Sequence, residues 1–357
     1  MRTRYSVSAV LLLVFLCAYI YAQEKSDDVI KVDTSLVNIP VVVSDRDNRY
    51  LPGLTIDNFK VFQDGSEQKI EIFSNADAPL HVALALDTSR STAAVLGKIK
   101  KAAKEFINDL GPDDRCMILS FDNNVEILSD LTSDKNQLDR AIKGARIGDD
   151  FGTVLQDAVY TIVNSKFHSV KGRKAIILLT DGKDFGSSVA KNDLFDRLTE
   201  SDTVIYPIFY ETGNNGLRAL RQNQRFPGGG IGRGGKRGGM RRFPGGRFPD
   251  SGGGRGGNRP NFPGGGGNRR NKEEQGRLAI QFLEHLADIT GGRFFKEQKA
   301  NLNDAFQQIA DEMKRQYVIG FYPTTDSTNG AVHHVKVLVD KPGTVVRSKS
   351  VYRTQTK

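Results

Sequence analysis

Two carboxylates and three hydroxyls stand in this sequence where their oxygens could converge on one point. One carboxylate ends the apolar run Val82–Leu86, and two serines follow it at alternate positions. The other carboxylate ends the apolar run in "IILLTDG", and a threonine opens a helical pattern in "DFGTVLQDAV". Ligands bind at the carboxyl ends of the strands in an open α/β sheet, so both carboxylates belong to one edge. The five residues are Asp87, Ser89, Ser91, Thr153 and Asp181.

These five side chains offer only hard oxygen ligands. Zinc and copper sites use thiolate or imidazole groups, which this set lacks. A small, hard cation that keeps several waters suits two carboxylates with hydroxyls, and Mg2+ fits that description best. We therefore predict a Mg2+ site, with Mn2+ and Ca2+ as the alternative ions.

Each residue also has a simpler structural explanation. Ser89 or Ser91 could cap the helix that follows, and Thr153 could cap another. Asp181 and Gly182 could form a plain turn. Together these explanations are weaker, because all three segments fall where one oxygen site can be made.

A hydrolase with Ser89 or Ser91 as its nucleophile is the competing chemical interpretation. The sequence around these serines has no G-x-S-x-G turn and no accompanying histidine. His333 and His334 are neighbours in a predicted strand and therefore point to opposite faces, which argues against a shared metal. The remaining histidines, which lie in no motif, are His81, His168 and His285. We predict a protein that is not an enzyme.

The elements that must position the five residues alternate between strands and helices from residue 81 to 210. Continuous apolar runs are typical of strands buried on both faces, and residues with helical spacing fall between them. This alternation predicts an α/β fold with a mostly parallel central sheet. The predicted strands are Val82–Leu86, Met117–Leu119, Ala175–Leu179 and Val204–Tyr210.

Strand patterns flank this α/β unit on both sides. "FKVFQDGSEQKIEIF" predicts a hairpin around Asp64 and Gly65, and "VNIPVVVSD" predicts a strand in which Pro40 favours an edge or a strand start. "QYVIGFYP", "VKVLVD" and "GTVVRSKSVYR" predict strands after the unit. The economical arrangement is a small β-sandwich-like domain made from residues 31–78 and 317–357, with the α/β domain inserted.

A basic, glycine-rich segment, residues 225–270, interrupts the α/β pattern. It holds 19 of the 37 glycines and a net charge of +10, whereas the whole chain carries +9. A segment with so little apolar surface cannot offset the conformational entropy that the chain would lose on folding. We therefore predict a disordered insert at 213–274. Gly230, Gly232 and Gly235 have the spacing of a dinucleotide fingerprint, but no predicted strand precedes them and no helix follows. We predict no nucleotide cofactor.

The basic segment could be a solvated linker or a second binding element. Arginine-rich disordered segments bind RNA, and in an exported protein anionic cell-surface polymers are the more plausible targets. If the strand ending near Tyr210 runs parallel to the strand before Asp181, the segment leaves the domain on the face of the metal site. Access of a large partner to that site would then depend on the segment.

The first 22 residues have the composition of a secretory signal peptide. Two arginines precede a largely apolar run from Val7 to Ile20, and Ala22 ends a cleavage motif. The run is short for a membrane span, and an uncleaved anchor is the alternative. We expect export to the periplasm, the cell surface or the medium. Cleavage would leave Cys116 as the single cysteine, which we predict to be a buried thiol without a disulfide partner.

Three short motifs resemble the metal-ion-dependent adhesion site of von Willebrand factor A domains. They are Asp87-Thr-Ser89-Arg-Ser91, Gly152-Thr153 and Thr180-Asp181-Gly182. The resemblance covers about residues 79–316 without the insert and implies a Rossmann-like domain. "FKVFQDGSEQKIEIF" and "RQYVIGFYP" are also similar to the VWFA-related acidobacterial family of exported proteins.

The resemblance implies a role for each of the five residues. Ser89 and Ser91 would bind the metal directly, and Asp87, Thr153 and Asp181 would bind it directly or through water. One coordination position would remain for an Asp or Glu of a protein partner. The implied function is a binding or adhesion module, and the alternative is binding of anionic polymers or nucleic acid through residues 225–270. The sequence indicates no oligomeric state.

Overall fold

The computed structural model describes residues 36–47, 49–74, 78–212, 267–297, 302–323 and 330–354, with the backbone alone for 267–272. The predicted signal peptide, residues 1–22, and residues 213–266 of the predicted insert lie outside the described residues. In the described part of the chain, no helix combines the length and the apolar character needed to cross a membrane.

The described residues form two domains from fourteen strands and six α-helices. In chain order the strands are β1 (Val37–Asp45), β2 (Phe59–Gln63), β3 (Ser66–Gln68), β4 (Ile72–Ser74), β5 (Leu80–Asp87), β6 (Arg115–Phe121), β7 (Val125–Thr132), β8 (Arg173–Thr180), β9 (Val204–Tyr210), β10 (Phe295–Glu297), β11 (Tyr317–Phe321), β12 (Val332–Val339), β13 (Thr344–Ser348) and β14 (Val351–Arg353). The helices are α1 (Leu96–Asp109), α2 (Lys135–Gly144), α3 (Leu155–Thr161), α4 (Lys191–Glu200), α5 (Gly267–Thr290) and α6 (Leu302–Met313).

A six-stranded sheet forms the centre of the larger domain. Its order is β10-β9-β8-β5-β6-β7, and all neighbours pair in parallel except β7, which is antiparallel to β6. Side chains alternate along β5, so that Val82 and Leu84 enter one core while Ala83 and Ala85 enter the other. Helices α1, α2 and α6 cover the first face, and α3, α4 and α5 cover the second. Burial on both faces explains the continuous apolar runs of the sequence.

The other eight strands form a second domain of two four-stranded sheets. The sheets have the orders β13-β1-β11-β4 and β14-β12-β2-β3, and each combines strands from before and after the α/β unit. Their inner faces share one core, which includes Ile39, Val61 and Ile319. The predicted fold class is therefore confirmed: an α/β domain with a mostly parallel sheet is inserted into a small β-sandwich-like domain made from both parts of the chain.

Arg173, at the beginning of β8, holds both chain segments that connect the two domains. Its Nε and Nη2 donate to the carbonyl of Ala78 at 2.8 and 2.5 Å, and its Nη1 donates to the carbonyl of Met313 at 2.5 Å. Ala78 lies just before β5, and Met313 ends α6. One guanidinium group therefore links the entrance and the exit of the inserted domain.

Lys349, between β13 and β14, makes a second connection between the domains. Its side chain is buried, with 3% of the residue exposed. Its Nζ donates to three carbonyls at the carboxyl end of α4, those of Leu198, Thr199 and Ser201, at 3.0, 2.5 and 2.6 Å. A cation at this end of a helix satisfies carbonyls that lack partners within the helix.

Two predictions for the β-sandwich-like domain need correction. The hairpin turns at Asp64 and Gly65, both with positive φ, but its second strand ends at Gln68 and Ile72 belongs to β4 in the other sheet. The strand that contains Pro40 is not an edge strand, because β1 lies between β13 and β11. Pairing with β13 begins only at Val41, so Pro40 lies in the half of β1 that has a single neighbour.

Two further differences concern the α/β domain. Helix α5 begins at Gly267, so residues 267–274 are helical although we predicted them to be part of the disordered insert. The segment "NRRNKEEQ" contains several good helix formers directly before the apolar helical pattern, which explains the earlier start. Strand β7 and helix α2 were not predicted, since β7 is partly exposed and α2 carries only three buried apolar residues.

Candidate metal-binding site

The carboxylate of Asp87 lies at the carboxyl end of the central strand β5 and is fully buried. Its Oδ1 accepts a hydrogen bond from the backbone N–H of Ser89 at 3.0 Å, and its Oδ2 accepts one from the Thr180 hydroxyl at 2.7 Å. Burial, with repulsion from Asp181 as the second cause, raises the pKa of Asp87 to about 7. A carboxylate held this way is costly to ionise unless a cation is near.

The loop after β5 places two serine hydroxyls next to Asp87. The Oγ atoms of Ser89 and Ser91 lie 3.0 Å apart. Thr92 fixes this loop, because its hydroxyl donates to the carbonyls of Asp87 and Ser89 at 2.9 and 2.8 Å. Ser89 precedes a short 3-10 turn, Arg90–Thr92, but its side chain makes no capping hydrogen bond there. Helix capping therefore does not account for the Ser89 hydroxyl.

Asp181 follows β8 directly and is 4% exposed. Since β5 and β8 pair in parallel, with Leu86 opposite Leu179, Asp87 and Asp181 reach the same edge of the sheet. The Oδ2 atom of Asp181 lies 2.5 Å from the ammonium group of Lys183 and accepts from the Thr212 hydroxyl at 2.7 Å. Asp181 is thus already paired with a positive charge supplied by its own loop.

Thr153 lies in a loop that pairs with the loop after Asp181. Its backbone exchanges two hydrogen bonds with Phe185, at 3.1 and 2.8 Å. Its hydroxyl donates to the carbonyl of Gly152 at 2.7 Å and caps no helix, because Asp184 and Ser187 instead accept from the first amides of α3. No hydrogen bond within the described residues joins Thr153 to the other four predicted ligands.

The structure thus brings the predicted residues together to different degrees. Asp87, Ser89 and Ser91 are connected by hydrogen bonds, and Asp181 is close enough to Asp87 to raise its pKa. Thr153 reaches the same edge through its pairing with Phe185. In the described part of the chain, no three His, Cys, Asp or Glu side chains group together in a way that could hold a metal ion. A cation at this edge would therefore depend on hydroxyl oxygens beside the two carboxylates, as the donor set predicts.

Three residues of this edge were not predicted from the sequence to take part. Thr180 holds Asp87, and Lys183 and Thr212 hold Asp181. Thr180 directly precedes Asp181 and Lys183 stands two residues after it, so their proximity could have been noticed. Thr212 is 31 residues away from Asp181 along the chain, and only the parallel pairing of β8 and β9 brings it near.

Comparison with known families identifies the larger domain. Residues 82–183 match the family model of the von Willebrand factor type A domain. The chain contains a von Willebrand factor type A domain. The matched residues run from β5 to the loop after β8 and include all five predicted ligands. The resemblance to this domain family is confirmed, and the narrower resemblance to an exported acidobacterial family stays a prediction.

Several solved structures are similar to this chain. An aerotolerance-related membrane protein from Bacteroides fragilis is 15% identical, with 66% of this chain and 98% of that chain covered and a TM-score of 0.42. The vWF domain of the type V pili tip protein Mfa5 from Porphyromonas gingivalis is 14% identical, with 66% and 94% covered and a TM-score of 0.41.

Proximal thread matrix protein 1 from the mussel byssus, with a zinc-occupied MIDAS motif, is 22% identical, with 40% of this chain and 38% of that chain covered and a TM-score of 0.36. No curated protein matches the chain.

Proposed function

We propose that this protein is an exported, non-enzymatic binding module that uses a divalent cation to bind an acidic group of a protein partner. The observation that carries the proposal is the buried pair of carboxylates, Asp87 and Asp181, beside the hydroxyls of Ser89 and Ser91. Two neighbouring carboxylates in a buried place repel each other, and a divalent cation removes that cost.

We propose Mg2+ as the cation, because every candidate ligand is an oxygen atom. Ser89 and Ser91 would bind it directly, and Asp87, Thr153 and Asp181 would bind it directly or through water. Bound Mg2+ supplies a coordination position for the carboxylate of a partner's Asp or Glu. The protein's own residues would orient this position at the edge of the sheet.

Binding, and not hydrolysis, fits the surroundings of the two serines. Their hydroxyls are hydrogen-bonded to each other, and among the described residues neither is bonded to a histidine. The histidine contacts that the structure shows involve other groups: His168 contacts Arg197, His285 contacts Phe195 and His333 contacts Asp64. A base that could activate Ser89 or Ser91 is therefore not provided by these histidines.

A second candidate function is binding of anionic polymers or nucleic acid through the basic segment 225–270. Strand β9 is parallel to β8, and Thr212, just after β9, donates to Asp181. The last described residue before the basic segment, Thr212, therefore lies beside the candidate metal site. Export, which rests on the composition of residues 1–22, favours a cell-surface polymer over RNA as the anionic target.

Mg2+ titration by calorimetry tests the metal part of the proposal. Wild type should bind Mg2+, whereas Asp87→Asn and Thr153→Ala should bind it at least about tenfold more weakly, since each removes a ligand. The matched controls are Asp193→Asn and Thr199→Ala, which alter α4 and remove none of the five predicted ligands, and they should leave the affinity unchanged. Equal Mg2+ affinity in wild type and Asp87→Asn would contradict the proposal.

Affinity capture from a cell-envelope extract tests the partner. Capture on wild type should require Mg2+ and should be lost with a chelator or with Thr153→Ala. A variant that lacks residues 225–266 keeps helix α5 and separates the two candidate functions. Capture that survives chelation and the Thr153 change, yet disappears with the deletion, would support the second function instead.

A further inference from the structure

Two exposed phenylalanines flank the candidate metal site. Phe151 is 79% exposed and Phe185 is 77% exposed, more than any other large hydrophobic residue in the described part of the chain. Each is the centre of an Asp-Phe-Gly triplet, at 150–152 and at 184–186. Soluble proteins seldom leave two such side chains exposed together unless the surface contacts something else.

The backbone holds both triplets next to the predicted ligands. Phe151 stands two residues before Thr153, and Phe185 pairs with Thr153 in an antiparallel bridge. Gly186 has a backbone φ of 119°, which residues other than glycine seldom adopt. The two loops are therefore tied to each other and to the site.

The aspartates of the triplets make hydrogen bonds that hold these loops. Asp184 accepts from the Ser187 hydroxyl at 2.6 Å and from the backbone N–H of Gln156, in the first turn of α3, at 2.9 Å. Asp150 accepts from the side-chain amide of Asn123 at 3.1 Å. The triplets thus anchor their acidic residues within the protein while their phenylalanines remain in solvent.

Arg90 completes this surface. It lies between the predicted ligands Ser89 and Ser91, and its guanidinium carbon is 4.3 Å from the centre of the Phe151 ring. A guanidinium stacked on an aromatic ring keeps its N–H groups available at the edge for hydrogen bonds. Arg90, Phe151 and Phe185, which we call the aromatic rim, therefore combine a positive charge with apolar surface beside the metal site.

We propose that the aromatic rim binds a polypeptide segment in which the metal-binding Asp or Glu is flanked by apolar side chains. This inference rests on the proposed function and adds the chemistry of the partner. Phe151 and Phe185 would contact the flanking apolar groups, and Arg90 would contribute a second interaction with a carboxylate or a backbone carbonyl. The rim would select the partner, because a single metal–carboxylate bond recognises any exposed acidic residue.

The composition of the rim favours a polypeptide over an acidic polysaccharide. Arg90 stacks on one face of Phe151 and so occupies one of the surfaces on which a sugar ring could stack. Phenylalanine also lacks the polar tip that tyrosine and tryptophan offer to hydroxyl groups. Positive charges of Arg90 and of Lys183, which is half-exposed beside Asp181, complement a carboxylate on the partner.

Phage display with Mg2+ tests the proposal. The probe is a heptapeptide library with a fixed central Asp and three random residues on each side, panned on the full chain. From the library with central Asp, wild type should select peptides with apolar flanking residues about tenfold more strongly than from a matched library with central Asn. The double variant Phe151→Ala/Phe185→Ala should still select Asp but lose the preference for apolar flanks. Tyr322→Ala, a change of another exposed aromatic residue in the β-sandwich-like domain, is the matched control and should behave as wild type.

Mg2+ calorimetry on the same proteins separates the failure of this inference from failure of the proposed function. The rim variants should bind Mg2+ as tightly as wild type, since they remove no predicted ligand. The proposal for the aromatic rim would be overturned if wild type and the double variant selected the same flanking residues. It would also be overturned if wild type bound Mg2+ but enriched no peptide. Mg2+-dependent binding of polygalacturonate that outcompetes the selected peptides would also overturn it. Absence of Mg2+ binding in wild type would instead refute the proposed function.

Discussion

Replacing Lys183 with methionine should strengthen Mg2+ binding. The ammonium group of Lys183 lies 2.5 Å from Oδ2 of Asp181, and the side chains of the two residues are 46% and 2% exposed. A divalent cation that uses Asp181, directly or through water, has to displace this charge or bind beside it. Methionine keeps a similar length and volume but offers no charge, so the cost disappears.

The size of the effect follows from the geometry of the ion pair. Two unit charges 2.5 Å apart attract by about 1.7 kcal/mol in the dielectric of water. Because Lys183 is half-exposed, screening and side-chain entropy reduce this value toward the roughly 1 kcal/mol measured for favourable surface pairs. A gain of about 1 kcal/mol corresponds to a roughly fivefold lower Kd for Mg2+.

Calorimetric titration with Mg2+ at constant ionic strength measures this change. Lys69→Met removes one positive charge from an exposed ion pair with Glu71, in the β-sandwich-like domain, and controls for net charge. The control should leave the Kd unchanged. A Kd for Lys183→Met within error of wild type, or a weaker one, would show that the ammonium group does not compete with the cation.

Further predictions concern Asp87 and the connection between the domains. Asp87→Asn should abolish the Mg2+-dependent rise in Tm without lowering the Tm of the metal-free protein, because the amide removes a buried charge; a large loss of metal-free stability would contradict this. The pKa of Asp87 is raised to about 7, above its unfolded value, so its contribution to metal-free stability is present at low pH and lost as the pH rises through about 7. Mg2+ binds the ionised form of Asp87, so the rise in Tm that Mg2+ causes should be smaller at about pH 6 than at about pH 8. Thermal unfolding with Mg2+ and with chelator measures this rise at each pH. A rise in Tm that does not change with pH would show that Asp87 is not a ligand. Lys349→Met should lower the free energy of unfolding by about 2 kcal/mol, because three carbonyls lose their buried donor. The control Lys341→Met, at an exposed position, should have no effect. Equal free energies of unfolding for the two variants in denaturant titrations would refute the argument.

The sequence predicted best what is encoded by local patterns. The strands around Val82–Leu86 and Ala175–Leu179 were found because a strand covered by helices on both faces needs a continuous apolar run. The contact of Asp87 with the serine loop was predictable because the residues are two positions apart in the chain. Parallel pairing then brings the ends of β5 and β8 to one edge, which any open α/β sheet does.

What escaped prediction depends on contacts between distant segments or on side-chain conformation. The ammonium group of Lys183 could extend into solvent, and only packing directs it to Asp181. Thr212 reaches Asp181 because β9 pairs with β8, a register that no local pattern specifies. Strand β7 escaped notice because it is partly exposed and follows β6 after three residues, without an apolar run of its own.

The position of Arg173 determines how the protein would carry mechanical load. A pull on a partner held at Asp87 would run along β5 in shear, against β6 and β8 on either side, so that many backbone hydrogen bonds resist it together. At the far end of β5 the load reaches Ala78, which the Arg173 guanidinium ties to Met313. Tension would therefore be divided between both connections to the β-sandwich-like domain, which would act as a two-point anchor for the inserted domain.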